Sequence, residues 1–241
     1  MSAPPPAVCR LVPGSYGVAI QFLLASAALA SLLVKKRLED RTAVNNRSWT
    51  EFFLDSSKQI IGGLWVHVLN IYLAVQLHKR ETMGDSCDWY FANIVVDCTI
   101  GTAIEFIVYI IIMRGLIPLV LTSEGAKDFH SGEYGGTSFR DMSWPSYLKQ
   151  LGVWILVCTI MKLAVYHLLR TYAQWFLWSA DLLLSPRETD PARKLWIVMI
   201  FTPLVMNTVQ LWIIDNFLKR NIKKLPIVEG VNKETLLGHV S

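Results

Sequence analysis

The stretch FFLDSSKQIIGGLWVHVLNIYLAVQLH (52–78) is apolar enough to lie in hydrocarbon, yet it carries Asp55, Lys58, Gln59, His67 and Asn70. Comparable apolar runs carry Asn93, Asp97 and Glu105, then Lys162 and His167, then Asn207, Gln210, Asp215 and Asn216. A charged side chain at a bilayer centre costs about 2.5–3.5 kcal/mol on insertion scales, so these groups are expected to face a protein interior and meet partners there. By depth they fall into two layers. Asp55, Lys58, Gln59, Glu105, Asp215 and Asn216 lie towards the end where the first of these runs begins. His67, Asn70, Asn93, Asp97, Lys162, His167, Asn207 and Gln210 lie nearer mid-depth and beyond. His67 and Asn70 are three residues apart and Asn93 and Asp97 four, so each pair shares a helical face and makes a polar stripe. Lys162 matches Asp97 in depth, which makes an Asp97–Lys162 ion pair the most economical arrangement, while Lys58 is expected to pair with Asp215 or Glu105.

Three kinds of chemistry fit this set. The groups can fix helix register as interhelical hydrogen bonds, they can line a binding or transport cavity, or His67, His167 and Asp97 can serve as donors to a cation. No HExxH, Cys-x-x-Cys, DxD, GxSxG, phosphate-loop or dinucleotide fingerprint accompanies them. No catalytic residue, resident metal or cofactor is therefore expected.

What must position these groups is a set of helices. Of the 241 residues, 53% are hydrophobic and 17% charged, nine are Trp, and the mean hydropathy is +0.37, too apolar for a domain in water. A span needs about 20 mostly apolar residues to cross roughly 30 Å of hydrocarbon. Five stretches qualify, at about 16–34, 56–78, 89–113, 150–177 and 195–218. Their continuous Leu, Ile, Val and Ala content reads as helix and not as the alternating pattern of barrel strands. The expected fold is all-α: a polytopic bundle of five transmembrane helices with a polar core, preceded by an arm over 1–15 and followed by a short basic tail over 219–241. ASAALAS (25–31) resembles a signal-peptidase region, but Lys35, Lys36 and Arg37 follow the apolar run instead of preceding it, so the first span reads as a retained anchor.

The same KKR run orients the chain. With Met1 lumenal, the cytosolic segments 35–55, 114–149 and 219–241 hold 14 Lys and Arg against 6 on the other side, as the positive-inside rule requires. The net charge of +4 then reflects basic residues facing an anionic leaflet, and no nucleic-acid partner is implied. The sequon at Asn46 falls on the cytosolic side, where no glycan is added. Cys98 and Cys158 lie inside spans and read as packing residues. Cys9 and Cys87 fall in the lumen, where a disulfide between them is permitted.

The apolar run from Trp89 continues past Arg114 to Leu121, about 50 Å as one helix. Gly115 and Pro118 are expected to bend 115–122 onto the interface. The loop SEGAKDFHSGEYGGTSFRDMSWPS (123–146) presents Phe129, Tyr134 and Phe139 among polar residues and reads as a contact surface centred on Tyr134. KRNIKK (219–224) is expected to meet anionic lipid through Lys223 and Lys224, besides holding the tail inside.

WTEFFLDSSKQIIGGLWVHVLNIYLA (49–74), CDWYFANIVVDCTIG (87–101), GEYG (132–135) and KLWIVMIFTPLVMNTVQLWIIDNFLKR (194–220) together resemble the STIMATE family. That family comprises multi-pass membrane proteins, among them a regulator of store-operated calcium entry in the endoplasmic reticulum and fungal vacuolar membrane proteins. The resemblance implies a non-enzymatic, regulatory or scaffolding role in contact with another membrane protein, a STIM-like calcium sensor in the animal case. It supplies no catalytic residues, and it groups Asp55, Ser57, Lys58, Gln59, Asp97 and Asp215 as a shared polar core. The short tail departs from the long charged tail of the animal pattern, which leaves a vacuolar or other endomembrane location beside the endoplasmic reticulum. A small transporter or channel using the polar interior is the alternative function. Membrane lipid is an expected partner, and self-association into a homo-oligomer is compatible with the pattern.

Overall fold

The computed structural model describes residues 14–42, 47–78, 86–132, 134, 139–184 and 191–218, and among these the regular structure is helical, with no strand. We label the helices α1 (Gly14–Thr42), α2 (Trp49–His78), α3 (Cys87–Val120), α4 (Ser123–Lys127), α5 (Trp144–Thr171), α6 (Ala173–Leu184) and α7 (Arg193–Leu218). Helices α1, α3, α5 and α7 are long and apolar enough to cross a membrane. Helix α2, with 30 residues, has the length of a span but is not one of those four.

Local sequence explains where the helices start. Ser48 and Glu51 form a capping box, with the Glu51 N–H donating to Ser48 Oγ and the Ser48 N–H to Glu51 Oε2, each at 3.1 Å. This satisfies two backbone donors that α2 would otherwise leave open. Ser143 caps α5, and Pro145 occupies its first turn, where its missing N–H costs nothing.

Two expected boundaries shift. The third span does not stop near residue 113, and 115–122 is not a separate bent segment: α3 continues through Pro118 to Val120. A π-helical turn at Ile111–Leu116 precedes the proline, and the Ile117 N–H bonds back to the Ile112 carbonyl. Widening the turn by one residue relieves the clash between a proline ring and the carbonyl one turn back. Helix α7 repeats the device, with a π turn at Ile197–Phe201 ahead of Pro203. The fourth span ends at Thr171, because Tyr172 leaves helical geometry at φ −111°, ψ 28°. Residues 173–177 belong instead to α6, which packs on α3.

Helices α5 and α7 each touch both α2 and α3, while α1 lies outside against α7. The core between them holds Tyr109, Ile112, Trp154, Val157, Ile214 and Phe217. The outer faces expose Phe22, Leu64, Ile107, Leu163 and Val209, a distribution suited to a hydrocarbon solvent and costly in water. Glycines let the helices close up. A Cβ at Gly62 of α2 would sit 2.4 Å from Trp154 Nε1 of α5, and one at Gly101 of α3 would sit 3.1 Å from Met161 Sδ.

Candidate functional site: two buried ion clusters

The larger cluster forms where α1 ends and α2 begins. One helical turn separates Asp55 from Lys58, and the Lys58 ammonium lies 3.1 Å from Asp55 Oδ1. Lys58 also donates to Ser131 Oγ at 2.6 Å and Gln150 Oε1 at 3.1 Å. Ser131 Oγ donates to Asp55 Oδ1 at 2.9 Å, and the Tyr134 hydroxyl donates to the same oxygen. On the far side of Asp55, Arg47 bridges to a second carboxylate. Its Nη1 is 3.5 Å from Asp55 Oδ2 and its Nη2 2.8 Å from Asp215 Oδ1. Lys35 closes the set from α1, donating to Asp215 Oδ2 and Asn216 Oδ1, each at 2.8 Å, and to the Trp212 carbonyl at 2.7 Å. Three cations thus hold two carboxylates, and every one of the five side chains is at most 9% exposed. At that burial, removing one partner typically costs about 3–5 kcal/mol because it strands the other charge.

The pairing of Lys58 differs from the expectation. It meets neither Asp215 nor Glu105, since Asp55 is already within reach on its own helix face, and Ser131 of the loop and Gln150 of α5 add two neutral acceptors. Asp215 is taken by Lys35 and Arg47. The sequence marks Lys35 as a topological signal alone and gives no role to Arg47, Ser131 or Gln150. The usable signal was that α2 and α7 contribute two acids to this layer but a single lysine, which demands cations from elsewhere.

Tyr134 also corrects an expectation: it is no exposed contact residue but 2% exposed, packed with Leu54, Met142 and Tyr147. Its phenol is pushed above its ordinary pKa, chiefly by burial and then by the adjacent Asp55 charge. Phe129 is half-buried against the core, and only Phe139 of the three aromatics stands exposed. The loop is also tied to α5. Gln150 Nε2 donates to the carbonyls of Asp128 at 3.2 Å and His130 at 2.9 Å. Lys149 meets Asp128 at 2.7 Å and, by that hydrogen bond, holds the Asp128 carboxyl below the usual carboxylate range.

The smaller cluster lies between α3 and α5. Lys162 Nζ donates to both Asp97 oxygens, at 2.8 and 2.7 Å, and to Asn93 Oδ1 at 3.1 Å. Asn93 Nδ2 in turn donates to Asp97 Oδ2 at 3.3 Å. Asp97 opens a π-helical turn, Asp97–Gly101, that buries Asp97, Cys98 and Gly101 together; such turns often re-aim side chains at functional sites. The Cys98 thiol donates to Gln210 Oε1 at 3.2 Å and Asn207 Oδ1 at 3.5 Å, adding α7.

His67 and His167 do not join either cluster. Both are exposed on the outer faces of α2 and α5, and Asn70 is half-buried, so the stripe expected to face the interior turns outward at His67. The helical phase explains this: the inward face of α2 runs through Asp55, Gln59 and Gly62, and His67 lies well off that line. Among the described residues no three His, Cys, Asp or Glu side chains gather in a way that could hold a metal ion. Glu105 and Gln59 are buried, at 2% and 4% exposure, and neither is bonded to a cation of either cluster. Cys87 is disulfide-bonded, Cys98 and Cys158 are free, and Cys9, Lys223 and Lys224 lie outside the described residues.

The STIMATE family profile matches residues 87–220, a span that contains Asp97, Glu105, Tyr134, Lys162 and Asp215. The vacuolar membrane protein YPL162C of Saccharomyces cerevisiae (strain ATCC 204508 / S288c) is 28% identical over 237 residues, covering 94% of this chain and 85% of the yeast protein. No solved structure matches. The profile covers more than half of the chain, and this protein belongs to the STIMATE family.

Proposed function

We propose that this chain is a non-enzymatic, multi-pass protein of an endomembrane, regulating or scaffolding another membrane protein, with α2 as a fifth crossing. The observation that carries the reading is the seal between loop and membrane helix. Ser131 and Tyr134 of the loop bond directly to Asp55, which is itself held by Lys58 and Arg47. Any ligand that moves the loop must change the partners of a buried carboxylate, and any shift of α2 must pull on the loop. That is the coupling a regulatory protein needs. The likeness to a vacuolar membrane protein supports a vacuolar or related endomembrane location. The family resemblance supports modulation of calcium signalling through a STIM-like sensor. A lumenal N-terminus agrees with the disulfide at Cys87, which needs an oxidising compartment and lies at the opposite end of α3 from the loop.

The test is affinity recovery after crosslinking in native membranes, paired with flux measurements in liposomes holding only this protein. A membrane protein partner captured by the wild type, and lost several-fold from an equally abundant Asp55→Asn variant, supports regulation. Recovery unaffected by Asp55→Asn sinks the loop mechanism. A second reading, a small transporter, is favoured by polar groups at several depths of the bundle; solute flux with the purified protein alone would select it.

A further inference from the structure

Glu105 differs from the other carboxylates of the bundle. Asp55, Asp97 and Asp215 each lie against a lysine or arginine, whereas Glu105 is bonded to the Cys158 thiol and its Oε2 has no partner. It is not alone in this. Gln59 Oε1 and Nε2, Ser56 Oγ and Trp154 Nε1 are likewise buried and unpartnered. Ser56, Gln59 and Gly62 are three residues apart and so follow one face of α2, rising about 9 Å from the first to the last. At the upper end, the absent Cβ of Gly62 lets Trp154 Nε1 approach α2, and Cys158 Sγ lies 3.3 Å from that same Cβ position. Glu105 is bonded to that sulfur. The orphaned atoms are thus strung along the seam of α2 and α5, from the turn that carries Asp55 and Lys58 to Gly62, where Cys158, the partner of Glu105, comes close.

We propose that Ser56, Gln59, Trp154 and Glu105 line an internal water site, continuous with the loop end of the bundle, through which the Glu105 carboxyl exchanges its proton with the aqueous phase. The donor and acceptor inventory selects water. Trp154 and the Gln59 amide offer N–H donors; the Gln59 carbonyl and Glu105 offer acceptors; Ser56 offers both. A bare cation would meet the indole and amide N–H groups, and an anion would meet the Gln59 carbonyl oxygen, while water satisfies each member in turn. A carboxyl without a counter-cation in a membrane interior is held neutral by a proton, and the line of orphaned groups provides that proton's route: it passes from a site water to Glu105 Oε2 and returns the same way. The titratable groups around Glu105 are Asp97, Cys98 and Tyr109 on its own helix and Cys158 on α5. Asp97 is occupied by Lys162, the Asp55–Lys58 pair of α2 is internally compensated, and Asp215 of α7 is held by Lys35 and Arg47. This inference does not rest on the regulatory reading and would survive its failure.

Infrared difference spectroscopy of the purified protein in nanodiscs tests it. The wild type should show a protonated-carboxyl C=O stretch that is lost in Glu105→Gln and moves, without loss, in Glu105→Asp. On transfer to D2O the band should shift within the mixing time, and the Ser56→Ala/Gln59→Leu double variant should slow that exchange by about tenfold or more. No band lost in Glu105→Gln overturns the proposal. So does wild-type exchange as slow as global unfolding, or exchange unaltered in the double variant when its thermal midpoint shows it folded. Glu105→Asp keeps the test open if the Gln variant does not fold.

Discussion

At the scale of single residues, the two clusters differ in how many partners each charge has. Asp97 and Lys162 are nearly a closed pair with Asn93 as the third member. Asp97→Asn and Lys162→Met should each lower stability by about 3–5 kcal/mol, because each strands the opposite charge, and the double variant should recover most of the loss. Chemical denaturation in detergent micelles measures all four corners of that cycle, and additive losses would show that the pair carries no coupling. Asp55 and Asp215 behave otherwise, since Arg47 touches both. Replacing Arg47 by Met should weaken the hold on the two carboxylates at once, yet leave each with its lysine. The expected loss is therefore smaller than for Lys162→Met in the same assay.

At the scale of elements, α2 is set against α5 by its glycines. Gly62 has Trp154 where a Cβ would go, whereas nothing lies within 4 Å of a Cβ at Gly63. Gly63→Ala should stabilise by up to about 1 kcal/mol through helix propensity. Gly62→Ala should destabilise by about 1–3 kcal/mol despite the same propensity gain, because the indole and the backbone behind it must move. Thermal midpoints of the two variants, one residue apart, decide the matter. The loop is the other element under test. Tyr134→Phe removes a hydrogen bond to a charged acceptor, worth about 1.5–3 kcal/mol, while keeping the ring against Tyr147. Hydrogen exchange over 128–132 should speed up while exchange in α5 does not, and unchanged protection of the loop would mean that Tyr134 does not latch it.

At the scale of the whole molecule, orientation has a direct assay. In intact organelle vesicles a membrane-impermeant thiol reagent should modify Asp141→Cys, in the exposed part of the loop, without permeabilisation; labelling only after permeabilisation would invert the topology. Helicity, the long apolar crossings at α1, α3, α5 and α7 and the depth match of Asp97 with Lys162 were legible in the sequence, because hydropathy and spacing along a helix are properties of the chain itself. The through-going helix at Pro118 was not, since a π turn that absorbs a proline leaves no mark in composition. Neither was the direction of His67 and His167, nor the burial of Tyr134. The chain determined by itself which groups enter the membrane and at what depth. Only the tertiary structure decided which of them meet, because Lys35, Arg47, Ser131 and Gln150 reach Asp55, Lys58 and Asp215 from segments whose mutual rotation and closeness are set by helix packing, not by sequence separation.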